Sequence, residues 1–113
     1  MLIPEPLRRD IFEQLDRLLR LIDDSAACGR TLFGEHGENT QTIADLAALD
    51  NIVEEAQDTY RRLWGLMARI ARDSAQQAAD NMRLLEQAHL RTRERLDALS
   101  RSVREIKTDW GLP

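Results

Sequence analysis

The chain has 113 residues, 42% of them apolar and 32% charged, with a formal net charge of −4. That length predicts a single domain, and the acidic balance argues against a general affinity for nucleic acid. A lone cysteine, Cys28, excludes an intramolecular disulfide and a thiolate metal cluster.

Only five residues are aromatic, so the core must be built from Leu, Ile, Ala and Met. Ala, Leu, Glu, Gln and Arg dominate, all strong helix formers. No run alternates apolar and polar residues between turn signals, so no sheet is expected. The opening "MLIPEPLRRDIFEQ" places charges ahead of any long apolar run, unlike a signal peptide. No window reaches the ~18 consecutive apolar residues of a membrane helix. A soluble cytoplasmic protein without membrane insertion is the expectation.

The first helix is predicted over about 5–27. Proline suits a first turn, where its missing N–H has no partner to lose. Leu7, Ile11, Leu15, Leu18 and Ile22 form a stripe, with Phe12 and Leu19 beside it. Gly29 then reads as a stop, and "CGRTLFGEHGENTQT" as a connection over 28–41 with Leu32 and Phe33 tucked against the bundle. It lacks the Gly-Lys-Ser/Thr ending of a phosphate-binding loop.

A second helix is predicted over 42–72, opened by a Thr42–Asp45 capping box. Its apolar seam runs Leu46, Leu49, Val53, Ala56, Tyr60, Leu63, Met67, Ile70, a clean heptad spacing. The third, over 74–108, carries Ala78, Met82, Leu85, His89, Thr92, Leu96, Leu99, Val103, Ile106 and Trp110 in the same rhythm.

The two seams do not share a register across "ARDSAQQAADN". Strict continuation would bring Ser74, Gln77 and Asn81 into the core. Ser74 followed by Gln77 instead fits a capping box after a turn. Charge agrees with a turn. Glu35 to Asp58 holds seven acidic residues and no basic one, whereas Arg91 to Lys107 holds six basic and three acidic. A hairpin lays Glu54 and Glu55 beside Arg91 and Arg93, and Asp45 beside Arg101. Each exposed pair contributes only about 0.2–1 kcal/mol, but together they select orientation. The expected fold is therefore all-α: a three-helix bundle with a long antiparallel coiled-coil hairpin. The alternative is one long dimerising helix of about 100 Å, with a stutter at the waist. A short stripe, Trp64, Ala68, Ala71 and Ala75, offers a place for Phe12 and Leu19, so the first helix is expected to cover one end of the hairpin.

Chemical signals are sparse. His89 falls on the core seam, where a structural role is the ordinary one. His36 in "EHGE" lacks the further ligands a metal site needs. Glu86 and His89 form a single Glu-x-x-His, short of a di-iron set. No Gly-x-Ser-x-Gly is present and Cys28 has no evident catalytic partner. Arg83 and His89 resemble the Arg-x4–6-His pattern of HEPN-type ribonucleases, and Arg30 with His36 matches it equally. The Arg-rich "RTRERLDALSRSVREIK" has interleaved acids and no aromatic residues for base stacking. No catalytic residue, metal or cofactor is expected, and enzymatic activity is not.

The segment "ADNMRLLEQAHLRTRERLDALSRSVREI" resembles the last helix of FlgN-type flagellar export chaperones. The likeness rests on Asn81, the Leu84–Leu85 pair, Arg91 and Arg93, and Leu96 with Leu99. It implies a protein that holds export-bound subunits through an amphipathic helix-in-groove contact, with Leu84, Leu85, Leu96 and Leu99 as partner-binding residues. The leading expectation is a non-enzymatic adaptor or secretion-chaperone-like module that binds protein partners and self-associates. A structural coiled-coil oligomerisation protein comes second, and a HEPN-like ribonuclease or toxin-type protein third.

Overall fold

In the computed structural model, which covers residues 1–113, the chain forms α1 (Glu5–His36), α2 (Ile43–Arg72) and α3 (Ala75–Trp110) with no strand. They pack as an antiparallel up-down-up bundle measuring 55 × 20 × 17 Å. The predicted three-helix class stands. The single 100 Å helix does not, because the chain reverses at Asp73–Ser74. Asp73 (φ −77°, ψ 158°) and Ser74 (φ −69°, ψ 162°) are both extended. Neither needs a positive φ, which explains how a tight reversal forms without Gly or Pro. The Ser74 hydroxyl accepts from the Gln77 amide, and the Gln77 side chain accepts from the Ser74 amide, closing the predicted capping box. Asn81 Nδ2 donates to Asp73 Oδ2 at 3.2 Å and ties the turn to α3.

Both predicted seams face inward along their full length, and every seam residue is buried or half-buried. The hairpin register is about one turn farther along α3 than expected. Arg95, and not Arg91 or Arg93, holds Glu55, through two 2.8 Å bonds. Asp45 accepts from Trp110 Nε1 at 2.8 Å and makes no pair with Arg101. The first turn of α3 serves to close the reversal, and Ala78 is its first residue to reach the core.

α1 departs most from expectation. It passes through Gly29 and Gly34 and stops at Gly37, whose φ of 72° suits glycine. Two glycines inside a helix cost about 1 kcal/mol each relative to alanine. Continuing the helix buries Cys28 and Leu32 completely. Burying a leucine alone contributes about 1.5–3 kcal/mol, enough to offset most of that cost. Because adjacent helical residues point about 100° apart, Leu32 and Phe33 cannot both face inward; Phe33 is exposed. The longer α1 also spans the whole hairpin. Gln14 Nε2 donates to the His89 carbonyl at 3.0 Å midway along α3, and at its far end the His36 ring packs at a tilt against Trp110, centroids 4.8 Å apart.

The connection thus shrinks from 28–41 to 37–42. The Thr42–Asp45 box does not form. Asn39 instead closes the turn ahead of α2, its side-chain oxygen accepting from the amides of Gln41 (2.8 Å) and Thr42 (3.2 Å). Buried Thr42 donates to the Gly37 carbonyl at 2.7 Å, and its hydroxyl accepts from the Asn39 amide.

Candidate functional site

Twenty-one apolar residues form one core, yet several of the largest side chains lie outside it. Pro4 and Pro6 start α1 so that the N-terminal residues fold back, with Ile3 buried and Met1 79% exposed. Arg8 donates to Met1 Sδ at 2.9 Å and pins that fold-back. Met1 then lines a shallow groove of about 160 Å³ between α1 and the end of α2, together with Phe12, Trp64, Ala68 and Ala71. Phe12 is 50% and Trp64 53% exposed. The helical geometry dictates this. Phe12 is one residue past the inward Ile11, and Trp64 one past Leu63, so each stands about 100° off the core, on the flank facing the other helix. The short stripe at Trp64 therefore does receive Phe12. Leu19 points to solvent and does not enter the groove.

The other flank of α2 forms a longer groove with α3. Glu54, Glu55 and Asp58 line one end, with Arg91 and Arg95 opposite. Arg62, Arg69, Gly65 and Leu84 line the other.

The four leucines of the chaperone-like helix are separated by the fold. Leu85, Leu96 and Leu99 are buried in the chain's own core, because they belong to the heptad seam that α1 and α2 cover. Leu84, 100° away from Leu85, is 49% exposed. Only Leu84 is free to meet a partner.

Arg83 and His89 are not brought together. Arg83 is exposed and pairs with Asp80, while His89 is buried with its Nε2 3.3 Å from an Arg93 guanidinium nitrogen. Burial, then the Arg93 charge, push the His89 pKa below its ordinary 6.5, against a smaller opposing pull from Asp10. The His89 Nδ1 and Gln14 Oε1 atoms are buried and find no hydrogen-bond partner in the chain. Both residues border a small cleft lined by Asp10, Glu13, Arg17 and Arg93. His36 lies 3.8 Å from its neighbour Glu35, and no group of three or more His, Cys, Asp or Glu side chains is placed to hold a metal ion. Burial raises the Cys28 thiol pKa, Lys107 opposes this, and Asp24 and Asp45 add to it. A thiol so placed is a poor nucleophile. No helix is long and apolar enough to cross a membrane.

Sequence reasoning pointed to Trp64 and its alanines but gave them to α1. The signal for a residual groove was the composition of the stripe: one large residue, Trp64, followed along the same face by alanines too small to fill the space beside it. Compared with protein-family models, curated proteins and solved structures, the chain matches none.

Proposed function

We propose that this chain is a non-enzymatic helical adaptor that receives an amphipathic helix of a partner protein in the groove between α1 and α2. The observation that carries this reading is the gathering of Met1, Phe12 and Trp64 on one concave apolar surface, with Ala68 and Ala71 between them. Exposed apolar residues scattered singly need no explanation; here two half-exposed aromatic side chains share one groove. Trp is prominent among residues that dominate interface energies. The flanking α1 and α2 run antiparallel, so a fourth helix laid along them completes a four-helix arrangement. The resemblance of the last helix to export chaperones supports a cytoplasmic carrier of secretion subunits as one form of this activity. In that form Leu84 offers a second foothold.

The test compares the tagged full-length protein with Trp64→Ala and Phe12→Ala. Both side chains are half-exposed, so the variants are expected to fold. The wild type should capture one dominant helical partner from its native cell extract. Trp64→Ala should weaken that purified pair by ten-fold or more, with the thermal midpoint nearly unchanged. Equal affinity for Trp64→Ala, or no partner for the wild type, overturns the proposal.

A further inference from the structure

The groove on the other side of α2 points to a second, directional docking site. We infer that it accepts a helix from another protein carrying basic residues in its first turns and acidic residues in its last. This rests on the chain being a helix-binding module, but it uses a separate surface. Two depressions of about 480 and 440 Å³ share Arg62, Ala88 and Arg91, and so form one channel between α2 and α3. From Asn51 to Arg69 it runs about 27 Å along α2, the length of a five-turn helix.

Its two ends differ in charge. Arg69 lines one end, and Arg62 and Arg91 line the middle stretch that the two depressions share; none of the three has a carboxylate within 4.0 Å. At the Asn51 end, Glu55 is held by Arg95 and Asp58 by Arg61, while Glu54 has no cationic partner. A docked helix gains by placing its negative C-terminal end and acidic residues on the free arginines, and its positive N-terminal end near Glu54. Leu84, exposed in the wall, supplies an apolar anchor.

Gly65 adds an independent observation. It sits mid-helix in α2 and lines this channel, and a Cβ placed there would meet nothing within 4 Å. Glycine weakens a helix interior relative to alanine, and nothing in the chain requires it. With no side chain at Gly65, a docked helix can approach the α2 backbone closely there.

A second copy does not supply the required polarity. In α2 all five carboxylates, Asp45 to Asp58, precede all four arginines, Arg61 to Arg72, which is the reverse order. In α3 the positive charge gathers in the second half, from Arg91 to Lys107, and in α1 the two signs are interspersed.

The experiment titrates full-length protein into two labelled helical peptides of identical composition and about five turns. One has Lys in its first two turns and Glu in its last two; the other has the reverse. The forward peptide should bind at least ten-fold tighter. Arg62→Glu with Arg69→Glu should abolish that preference. Gly65→Ala should raise the melting temperature yet weaken the forward peptide several-fold, a combination that a purely structural glycine does not produce. Equal binding of both peptides, binding of neither, or unchanged affinity in Gly65→Ala overturns the inference. So does full competition by single-stranded RNA, or a self-dimer that Gly65→Ala dissolves. Trp64→Ala should leave forward-peptide binding intact. Trp64-dependent partner capture without peptide polarity would therefore sink this inference alone, and the converse would sink only the α1–α2 proposal.

Discussion

Replacing Gly29 with alanine gives opposite results for the two ways α1 can end. In the structure Gly29 lies inside the helix with no positive φ, and an added Cβ would sit 3.8 Å from Leu49 Cδ1, an ordinary contact. Alanine there should stabilise the fold by about 0.5–1 kcal/mol, because it restricts the unfolded chain and favours helix. Unfolding entropy of about 2.1 cal/mol/K per residue amounts to roughly 0.24 kcal/mol/K for this length, so the midpoint should rise by about 2–4 °C. If α1 instead stopped at Gly29 in a left-handed cap, alanine would cost about 1 kcal/mol and lower the midpoint by a similar amount. Circular dichroism at 222 nm, in thermal and urea melts, reads the sign directly. Gly34→Ala, where the space is open, should also stabilise. Gly37→Ala, at φ 72°, should destabilise. A Gly29→Ala variant that melts lower, alongside Gly37→Ala, refutes the continuous helix.

His89 makes stability depend on pH. Its folded pKa lies below the ordinary 6.5, because burial and the Arg93 charge outweigh Asp10; Glu13 and Arg17 border the same cleft. The unfolded chain therefore binds the extra proton first. This contribution is complete above about pH 6.5 and is lost progressively as pH falls from there toward the folded value. Urea melts should show that slope in the wild type and its loss in His89→Gln; an unchanged slope in the variant would rule it out. Cys28 is buried with a raised pKa, so a disulfide-exchange reagent should react only as fast as the protein opens, and immediately in urea. Rapid labelling under native conditions would contradict the packing of α1 on α2.

Periodicity made the hairpin readable. Two heptad seams out of register, with Ser74 and Gln77 between them, favoured a reversal over a stutter in one long helix, and both seams are inside. The ends of α1 and α2 were not readable in the same way. Gly29 looks like a stop in isolation; only the burial of Cys28 and Leu32 against other helices makes the continuation favourable. Thr42 does sit at the N-cap of α2, yet its buried hydroxyl bonds back to Gly37 and not to the helix, while Asn39 closes the preceding turn. The pairs that join α1 to α3, Arg17 with Asp97 and Lys107 with Asp24, span some eighty residues and have no local signature. Leu84 and Leu85 are indistinguishable by composition. The seam decides that Leu85 belongs to the core, and the same rule could have marked Leu84 as the exposed partner.

Packing accounts for the charge order of α2 over only half of its length. Its acidic half lies beside the basic part of α3, and the Glu55–Arg95 pair together with the Asp45–Trp110 bond holds that orientation. Folding alone would favour the same treatment of its second half, with acids on the facing part of α3. That stretch offers Asp80, already paired to Arg83, and Glu86, which makes no ion pair, and it leaves Arg62 and Arg69 without partners in an open channel. On the opposite flank, Trp64 is likewise left half-exposed over alanines. Both departures fall on one segment, Arg61 to Arg72, where α2 has a groove on each side. A residue outside that segment, such as Leu19, is equally exposed but lines neither groove. If α2 is the shared wall of two docking sites, removing Leu19 should leave both untouched, while changes at Trp64 and at Gly65 should each disturb one and spare the other.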